Sequence, residues 1–178
     1  MSPAEEVLAA EGTAVKYQGA YKGGKKNGLG QIWYPNGDRY HGLWADDQKS
    51  GQGTYYYKNG DVYSGSWAGD VKSGNGTYVF AKDRSQLVGD WNNGSLTAGK
   101  WVFEDGTNYH GQFRNNKPIG KGVFYFPNGN QQEGEYVEVG DDEDEEAPKT
   151  LVWRGGAVVP ATTSAKDLTR APLPPATA

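Results

Sequence analysis

Large apolar and aromatic residues occur at every second position in short runs, a spacing typical of half-buried β-strands. In the first run Tyr17 and Tyr21 flank Gly19, and in the next run Ile32 and Tyr34 follow Gly30. Successive side chains of a strand point to opposite faces, so each run places its large residues and its glycine on one face. The pattern predicts a series of two-stranded hairpins that share an aromatic face.

The hairpin pattern repeats along the chain with a period of 23 residues. Each unit starts with Tyr-x-Gly-x-aromatic at residues 17, 40 and 63, and in looser form at residues 87, 109 and 132. A Gly-x-Gly pair and a second aromatic run follow, and units one, two and five then end in Asn-Gly. Asn-Gly favours a two-residue hairpin turn, because both central residues need a positive φ.

Units three and four depart from this pattern in compensating ways. Residues 81–84 stand where Asn-Gly is expected, Leu87 replaces the leading tyrosine, and Thr97 replaces the first glycine of the Gly-x-Gly pair. The third unit therefore has 24 residues and the fourth has 22. This irregularity predicts a bulge that bends the sheet or presents the loop at residues 81–86.

We predict an all-β fold, an elongated single-layer antiparallel sheet of tandem hairpins. Its five full units and a half unit cover residues 17–138, after a short N-terminal arm at 1–16. A flexible acidic linker at 139–150 and an extended C-terminal tail at 151–178 follow. One hairpin is not stable alone, so the stacked units build the core, and the sheet should be about 50 Å long. This shape has long faces and no deep pocket.

Composition narrows the chemistry that the chain can perform. The sequence holds 27 glycines and no cysteine, which excludes disulfides, thiolate zinc sites and cysteine nucleophiles and favours a reducing compartment. The N-terminus carries acids where an export signal needs bases, and no apolar run approaches the length of a membrane span. We expect a soluble protein of the cytoplasm.

Negative charge is concentrated in one segment near the C-terminus. Residues 17–136 are nearly neutral, whereas residues 137–148 hold seven acids and no base, so we expect no nucleic-acid partner. The six acids at 141–146 could hold a cation or a basic partner, but such blocks are usually solvated linkers. Their spacing does not fit a calcium loop.

No group of residues predicts catalysis, a metal or a cofactor. His41 and His110 both follow the leading tyrosine of a unit and should point away from the aromatic face. Neither lies in a recognisable constellation with serine or carboxylate residues. The glycine pairs lack the GxxxxGK[ST] pattern and a following helix, so they are not phosphate loops. We therefore predict a protein that is not an enzyme.

Three lysines offer an alternative function. Lys26, Lys49 and Lys72 occupy the same place in successive hairpins and could form a basic edge for anionic phospholipid. That would make the chain a peripheral membrane tether. No lipidation motif or amphipathic helix supplies a second anchor, so ordinary solubilising loops explain the lysines more simply.

Three surfaces are candidates for binding a protein partner, either another copy or a different subunit. A single sheet cannot cover both of its faces, so Trp33, Tyr56 and Tyr125, on the face opposite the aromatic layer, should be covered. The irregular loop adds Lys82, Asp83 and Arg84. The tail adds Trp153, Val158 and Val159, which either fold back on the sheet as a cap or extend a partner's edge strand.

The signature YxGxW, GxG and an aromatic strand ending in NG resembles the membrane occupation and recognition nexus (MORN) repeat family. Within that family, residues 111–122, the closing Gly134-Glu135-Tyr136 and the acidic run before a tryptophan resemble the radial spoke head protein 1 group of ciliary axonemes. The resemblance implies a non-catalytic scaffold subunit of the radial spoke. It also implies other axonemal proteins as partners, and the cytoskeleton of a cilium or flagellum as the location.

Overall fold

The computed structural model describes residues 14–140 and 149–161. In this part of the chain every regular element is a strand, and the strands pair in sequence order into one open antiparallel sheet, which confirms the predicted fold class. Residues 1–13, the acidic run at 141–146 and the tail beyond residue 161 lie outside the described residues. The strands are β1 (Lys16–Lys22), β2 (Lys25–Trp33), β3 (Arg39–Ala45), β4 (Gln48–Tyr56), β5 (Val62–Ala68), β6 (Val71–Val79), β7 (Gln86–Asn92), β8 (Ser95–Val102), β9 (Asn108–Arg114), β10 (Lys117–Tyr125), β11 (Gln131–Val139) and β12 (Thr150–Val159).

A row of glycines crosses all the strands and explains how a single sheet builds a core. Cross-strand partners in this row are Gly19, Gly30, Gly42, Gly53, Gly65, Gly76, Gly89, Gly99, Gly111, Gly122, Gly134 and Gly155. The ring of Tyr40 lies over Gly42 and Gly53, and a Cβ at either glycine would overlap it. Because the glycines have no side chain, the tyrosine rings rest on the backbone itself.

The core is therefore a layer of rings on one face of the sheet. Tyr40, Tyr63 and Tyr109 are fully buried, although a single-layer sheet has no second sheet to cover them. The next unit supplies the cover, since Trp67 of β5 meets the Tyr40 ring edge-on at 5.4 Å and Trp91 of β7 meets the Tyr63 ring at 5.1 Å. Edge-to-face packing at these distances is favourable, so each hairpin buries the aromatic layer of the one before it.

The irregular units keep the sheet in register by adding one residue and omitting another. The turn after β6 is one residue longer than the Asn-Gly turns, and Arg84 (φ 59) takes the left-handed position that Gly37 (φ 93) holds in unit one. The bulge in β8 is one residue shorter, because Leu96 pairs with Trp91 while Gly99 pairs with Gly89. Thr97 is thus part of a shortened bulge rather than a simple replacement of a glycine.

The segment that follows the acidic run completes a sixth hairpin. We expected residues 151–178 to form an extended tail, but residues 151–159 of it, together with Thr150 of the expected linker, form β12, which pairs antiparallel with β11. The ring of Trp153 lies 5.1 Å from Tyr136 and 5.0 Å from Phe124. The half unit ending at Tyr136 thus gains its second strand from beyond the acidic run. Partial burial of Trp153 against the ring layer accounts for this pairing.

Candidate partner-binding surfaces

The hairpin lysines are part of the ring layer. The Lys49 ammonium lies 5.4–6.0 Å from the centroids of four rings, those of Tyr34, Tyr40, Tyr55 and Trp67. Lys72 has the equivalent surroundings at 4.7–5.9 Å, namely Tyr57, Tyr63, Tyr78 and Trp91. We call each such set of rings a lysine cage. The rings attract the cation through their quadrupoles and bury its aliphatic stem.

Two of these lysines are also paired with carboxylates. Lys26 Nζ lies 3.5 Å from Asp47 Oδ1, and Lys49 Nζ lies 3.1 Å from Asp70 Oδ1. The Lys49 side chain is only 12% exposed. These lysines therefore do not form the free basic edge on which the membrane-tether hypothesis was based. That hypothesis stays a prediction, and it lacks support from this geometry.

A second polar motif joins successive units at the Asn-Gly edge. Asp38 accepts hydrogen bonds from the Tyr55 hydroxyl (2.7 Å) and from Lys58 N (2.8 Å) of the following unit. Asp61 does the same with Tyr78 and Ala81 N. Burial alone would raise the pKa of Asp61, but these hydrogen bonds outweigh it and hold the pKa below its ordinary value. They thus favour the charged carboxylate.

Neither polar motif was predicted from the sequence. A signal for them exists in the 23-residue recurrence of Lys26, Lys49 and Lys72, and in the aspartate that follows Asn-Gly at residues 38 and 61. Neither recurrence shows by itself which atoms meet. The two residues of each contact lie about one period apart in sequence, so their contact can be recognised only once the strand register is known.

The face opposite the ring layer carries Trp33, Tyr56 and Tyr125 in a single cross-strand row. Their register places them with Val159 in the set Lys16, Trp33, Arg39, Tyr56, Val62, Val79, Gln86, Val102, Asn108, Tyr125, Gln131 and Val159, which we call the back-face row. Trp33 and Tyr56 are half-buried and Tyr125 is exposed.

Neighbouring cations and rings hold the aromatic residues of the back-face row. The Arg39 guanidinium lies 4.0 Å from the Tyr56 ring centroid, and Lys16 Nζ lies 5.5 Å from that of Trp33. His110 packs on Tyr125 with ring centroids 4.6 Å apart. Burial and then Lys100 lower the pKa of His110, so the ring is held neutral near pH 7. The row thus presents flat rings flanked by cations at its N-terminal end.

The other predicted residues lie on separate surfaces. Lys82, Asp83 and Arg84 are exposed in the long turn after β6, where Asp83 Oδ1 accepts from Ser85 N and Oγ. Trp153 belongs to the ring layer, and its Nε1 donates to Gln132 Oε1 at 3.1 Å.

Val158 is half exposed and lines an open groove of about 500 Å³ on the ring-layer side of the sheet. Phe126 and Pro127 of the last Asn-Gly turn complete its apolar lining. The structure therefore distributes the nine predicted residues over the back-face row, the long turn and the β12 end.

The described residues were also searched for metal sites and for membrane-spanning helices. Among residues 14–140 and 149–161, no group of three His, Asp or Glu side chains is placed to hold a metal ion. In the same part of the chain no helix is long and apolar enough to cross a membrane.

Comparison with known proteins gives one family and one curated relative. The family model for the MORN repeat matches residues 17–39, 40–62, 63–83 and 109–131, and leaves out the irregular unit between them. A radial spoke head 1 homolog of Cyprinus carpio is 38% identical over 80 residues, which are 42% of this chain and 37% of the relative. The match thus spans well under half of the relative's length.

Comparison with solved structures gives the TCP domain of SAS-4 from Drosophila melanogaster, determined in complex with a proline-rich motif of Ana2. It is 15% identical, the overlap covers 85% of this chain and 97% of that chain, and the TM-score is 0.40. Neither a shared fold nor a shared function follows from a TM-score of that size.

Proposed function

The chain belongs to the MORN-repeat family, and we propose that it is a non-catalytic scaffold subunit of the ciliary or flagellar axoneme, within a radial spoke. The observation that carries this proposal is the 38% identity to a radial spoke head 1 homolog across 80 residues. The shape of the sheet supports it, because twelve strands in one layer offer two long faces. We place its partners among the other proteins of the axoneme and its role in ciliary motility.

We assign the main partner contact to the back-face row. Flat aromatic side chains with neighbouring cations are the residue types that dominate the energy of protein interfaces. Arg39 of β3 stacked on Tyr56 of β4 is such a pair. Four strands, β5 to β8, separate it from the pair of His110 on β9 and Tyr125 on β10. A partner that covers the row would therefore extend across several hairpins. A second copy of this chain remains one such partner.

Substitution of the row tests this assignment. Tyr56→Ala and Trp33→Ala should weaken assembly into the spoke at least tenfold, because hot-spot aromatics contribute about 2 kcal/mol or more each. Lys58→Ala, an exposed residue of the neighbouring turn, is the matched control and should assemble normally. Assembly unaffected by both aromatic substitutions, with folding verified by circular dichroism, would remove the row from the interface.

We assign a second contact to the long turn after β6, which carries Lys82, Asp83 and Arg84. Replacing residues 81–86 with a regular Asn-Gly turn should weaken assembly without unfolding the protein, because the side chains of residues 81–84 are exposed. The matched control is the same exchange at residues 104–107, another turn of the same edge. Unchanged assembly of the first variant would show that the extra residue is tolerated drift.

At the C-terminal end, Val158 and Val159 are about half exposed, with Val158 in the groove and Val159 in the back-face row. Trp153 acts indirectly there, because it holds β12 in the sheet. We therefore expect Val158→Asp to weaken assembly with little loss of stability, and Trp153→Ala to detach β12.

Fractionation of cilia tests the location. The protein should stay with axonemes washed in high salt and should be missing from axonemes of a strain that lacks radial spokes. Retention in the spokeless axonemes would place it in another axonemal complex. Recovery only in the soluble cell-body fraction would end the axonemal proposal.

A further inference from the structure

Three lysines, Lys26, Lys49 and Lys72, occupy equivalent positions in successive hairpins. At the first two, one carboxylate oxygen meets both the ammonium and the backbone N–H of the lysine. Asp47 Oδ1 accepts from Lys26 N at 2.8 Å, and Asp70 Oδ1 accepts from Lys49 N at 2.9 Å. The same oxygens form the ion pairs with the two ammonium groups. Each lysine thus presents a two-donor site that an aspartate of the next unit fills.

At Lys72 the backbone of this site is kept and the carboxylate is missing. Gly94 N donates to Lys72 O at 3.0 Å, as Asp70 N donates to Lys49 O at 3.1 Å. The φ angles also agree, 81° at Gly94 and 69° at Asp70. Gly94 therefore occupies the place of the aspartate without its side chain. Within the described residues the structure gives Lys72 no ion pair.

The ammonium of Lys72 stays fixed in its cage even though it is unpaired. It lies closer than that of Lys49 to each of the four equivalent rings, with 4.7 Å to Trp91 against 5.4 Å to Trp67. A cation drawn toward the rings is expected when no carboxylate attracts it outward. Burial also lowers the pKa of Lys72, and a carboxylate nearby would oppose that effect.

Beside Lys72, the position that a carboxylate occupies in the two sister sites is open to a group from outside the molecule. The carboxylates that fill the two sister sites are themselves 46% and 47% exposed, so the position faces solvent. A Cβ at Gly94 would meet only Val71 Cγ1, at 3.5 Å. Val71 is 37% exposed and adds an apolar contact beside the site. One ammonium and one N–H suit a single carboxylate oxygen, as the sister sites show.

We propose that Lys72 binds an Asp or Glu side chain of a partner protein, which takes the place of the aspartate missing at residue 94. The partner carboxylate accepts hydrogen bonds from the Lys72 ammonium and from the backbone N–H of Lys72, as Asp70 does from Lys49. The cage holds the ammonium in position before the partner arrives, so little ordering cost remains. The site does not depend on the axonemal proposal, since it specifies the partner's chemistry and not its location.

Titration of the isotope-labelled full chain with tetraglutamate tests the site, with tetraglutamine as the neutral probe. We expect tetraglutamate to shift the Trp91 indole N–H and Lys72 ammonium resonances saturably at low salt. The Trp67 indole, beside the paired Lys49, should stay unchanged, and tetraglutamine should shift none of them. Equal shifts at Trp67 and Trp91, or no saturable shift at Trp91, would overturn the proposal.

Two variants with the same net charge distinguish binding at this site from general electrostatic attraction. Gly94→Asp rebuilds the internal carboxylate and should weaken tetraglutamate binding at least tenfold. Asn93→Asp adds the same charge one residue away, at the position of Asp46, whose φ of 48° matches the 47° of Asn93. It should weaken binding less than threefold. Equal loss in the two variants would mean that only net charge matters and would refute a built site.

Lys72→Met supplies an independent check. It should abolish the Trp91 shift while leaving the fold intact, because Leu96 holds the equivalent position in the next hairpin and is fully buried there. The dispersion of the other indole resonances reports whether the sheet is preserved. Undiminished tetraglutamate binding in this variant, with the fold intact, would also overturn the proposal.

Discussion

Strands β3 to β6 and strands β7 to β10 pair in the same order and share the glycine row, but different side chains make the contacts within and between their hairpins. In the first region the Tyr63 hydroxyl donates to Ser66 O at 3.1 Å, and Asp61 accepts from the following unit. In the second region Leu87 and Leu96 are buried instead. Two polar atoms there, Tyr109 Oη and Trp101 Nε1, are buried without a hydrogen-bond partner.

The turn residues show the same contrast. Ser85 stands where Asp61 stands in the unit before it, and its hydroxyl bonds to Asp83 within its own turn. Thr107 likewise bonds to Asp105 within its turn. The sheet nevertheless keeps its register across both regions. The glycine row therefore keeps this architecture even where the polar contacts between units are missing, and those contacts add stability to it.

The largest effect should come from the feature that both regions share, the glycine row. A Cβ at Gly76 would overlap the ring of Tyr63, which is fully buried. We expect Gly76→Ala to lower the free energy of unfolding by about 3 kcal/mol. Gly156→Ala is the control, since its Cβ would meet only Glu133 O at 3.3 Å. Urea unfolding measures both, and similar midpoints would contradict the role of the row.

Removing a carboxylate between units should have the next largest effect. Asp61→Asn should cost about 2 kcal/mol at pH 7, because hydrogen bonds to a charged acceptor are lost. The pKa of Asp61 is lowered in the folded state, so its contribution exists above the unfolded pKa, near 4, and disappears as the pH falls through the folded value.

The difference in unfolding free energy between Asp61→Asn and the unchanged protein should therefore shrink as the pH falls toward about 2. Asp105→Asn is the control in the second region, because that exposed carboxylate bonds only within its own turn. Its cost should stay below about 1 kcal/mol at pH 7. A gap for Asp61→Asn that stays constant with pH would argue against the charged carboxylate as the cause.

A paired substitution of tyrosines compares the two regions directly. Tyr63→Phe removes the hydrogen bond to Ser66 O and should cost about 1 kcal/mol. Tyr109→Phe removes a buried hydroxyl that has no partner and should be neutral or slightly stabilising. Chemical denaturation monitored by tryptophan fluorescence measures both variants. Equal losses would mean that the Tyr109 hydroxyl has a partner in solution, such as a bound water.

The smallest effect should distinguish the paired lysine cage from the unpaired one. Lys49→Met leaves Asp70 without its cation and should cost about 0.5 to 1 kcal/mol. Lys72→Met removes an unpaired cation from its cage and should change stability by less than about 0.5 kcal/mol. Thermal unfolding of the two variants at one salt concentration provides the comparison. A larger loss for Lys72→Met would show that the rings alone stabilise the cation more than the carboxylate does.

The fold could be predicted from the sequence because its signals are local and periodic. Tyr17, Gly19 and Tyr21 define a strand face within five residues, and Asn36-Gly37 defines the turn. The pairing of Lys49 with Asp70 could not be predicted in the same way, since it depends on which strands meet and on the direction of a long side chain. The pairing of β12 is non-local as well, because residues 140–149 separate it from β11.

Candidate surfaces were harder to predict than strands for a related physical reason. Alternation places Trp33, Tyr56 and Tyr125 on the face opposite the ring layer, and the register confirms that they share a row. Alternation also places Trp153 on one face or the other, but it cannot show that neighbouring rings pack against it and partly bury it. Exposure depends on contacts between units, which a period of two does not encode.

Because strand order equals sequence order, each hairpin can form as soon as its second strand has left the ribosome. Contacts between strands made in succession fold rapidly, and domains can fold progressively during synthesis. The cage of Lys72 is complete only when Trp91 of β7 has been made. The last pairing, of β12 with β11, must close the longest loop and waits for residue 159. The partner surfaces therefore mature in a fixed order from the N-terminus, and the groove beside Val158 is the last to form.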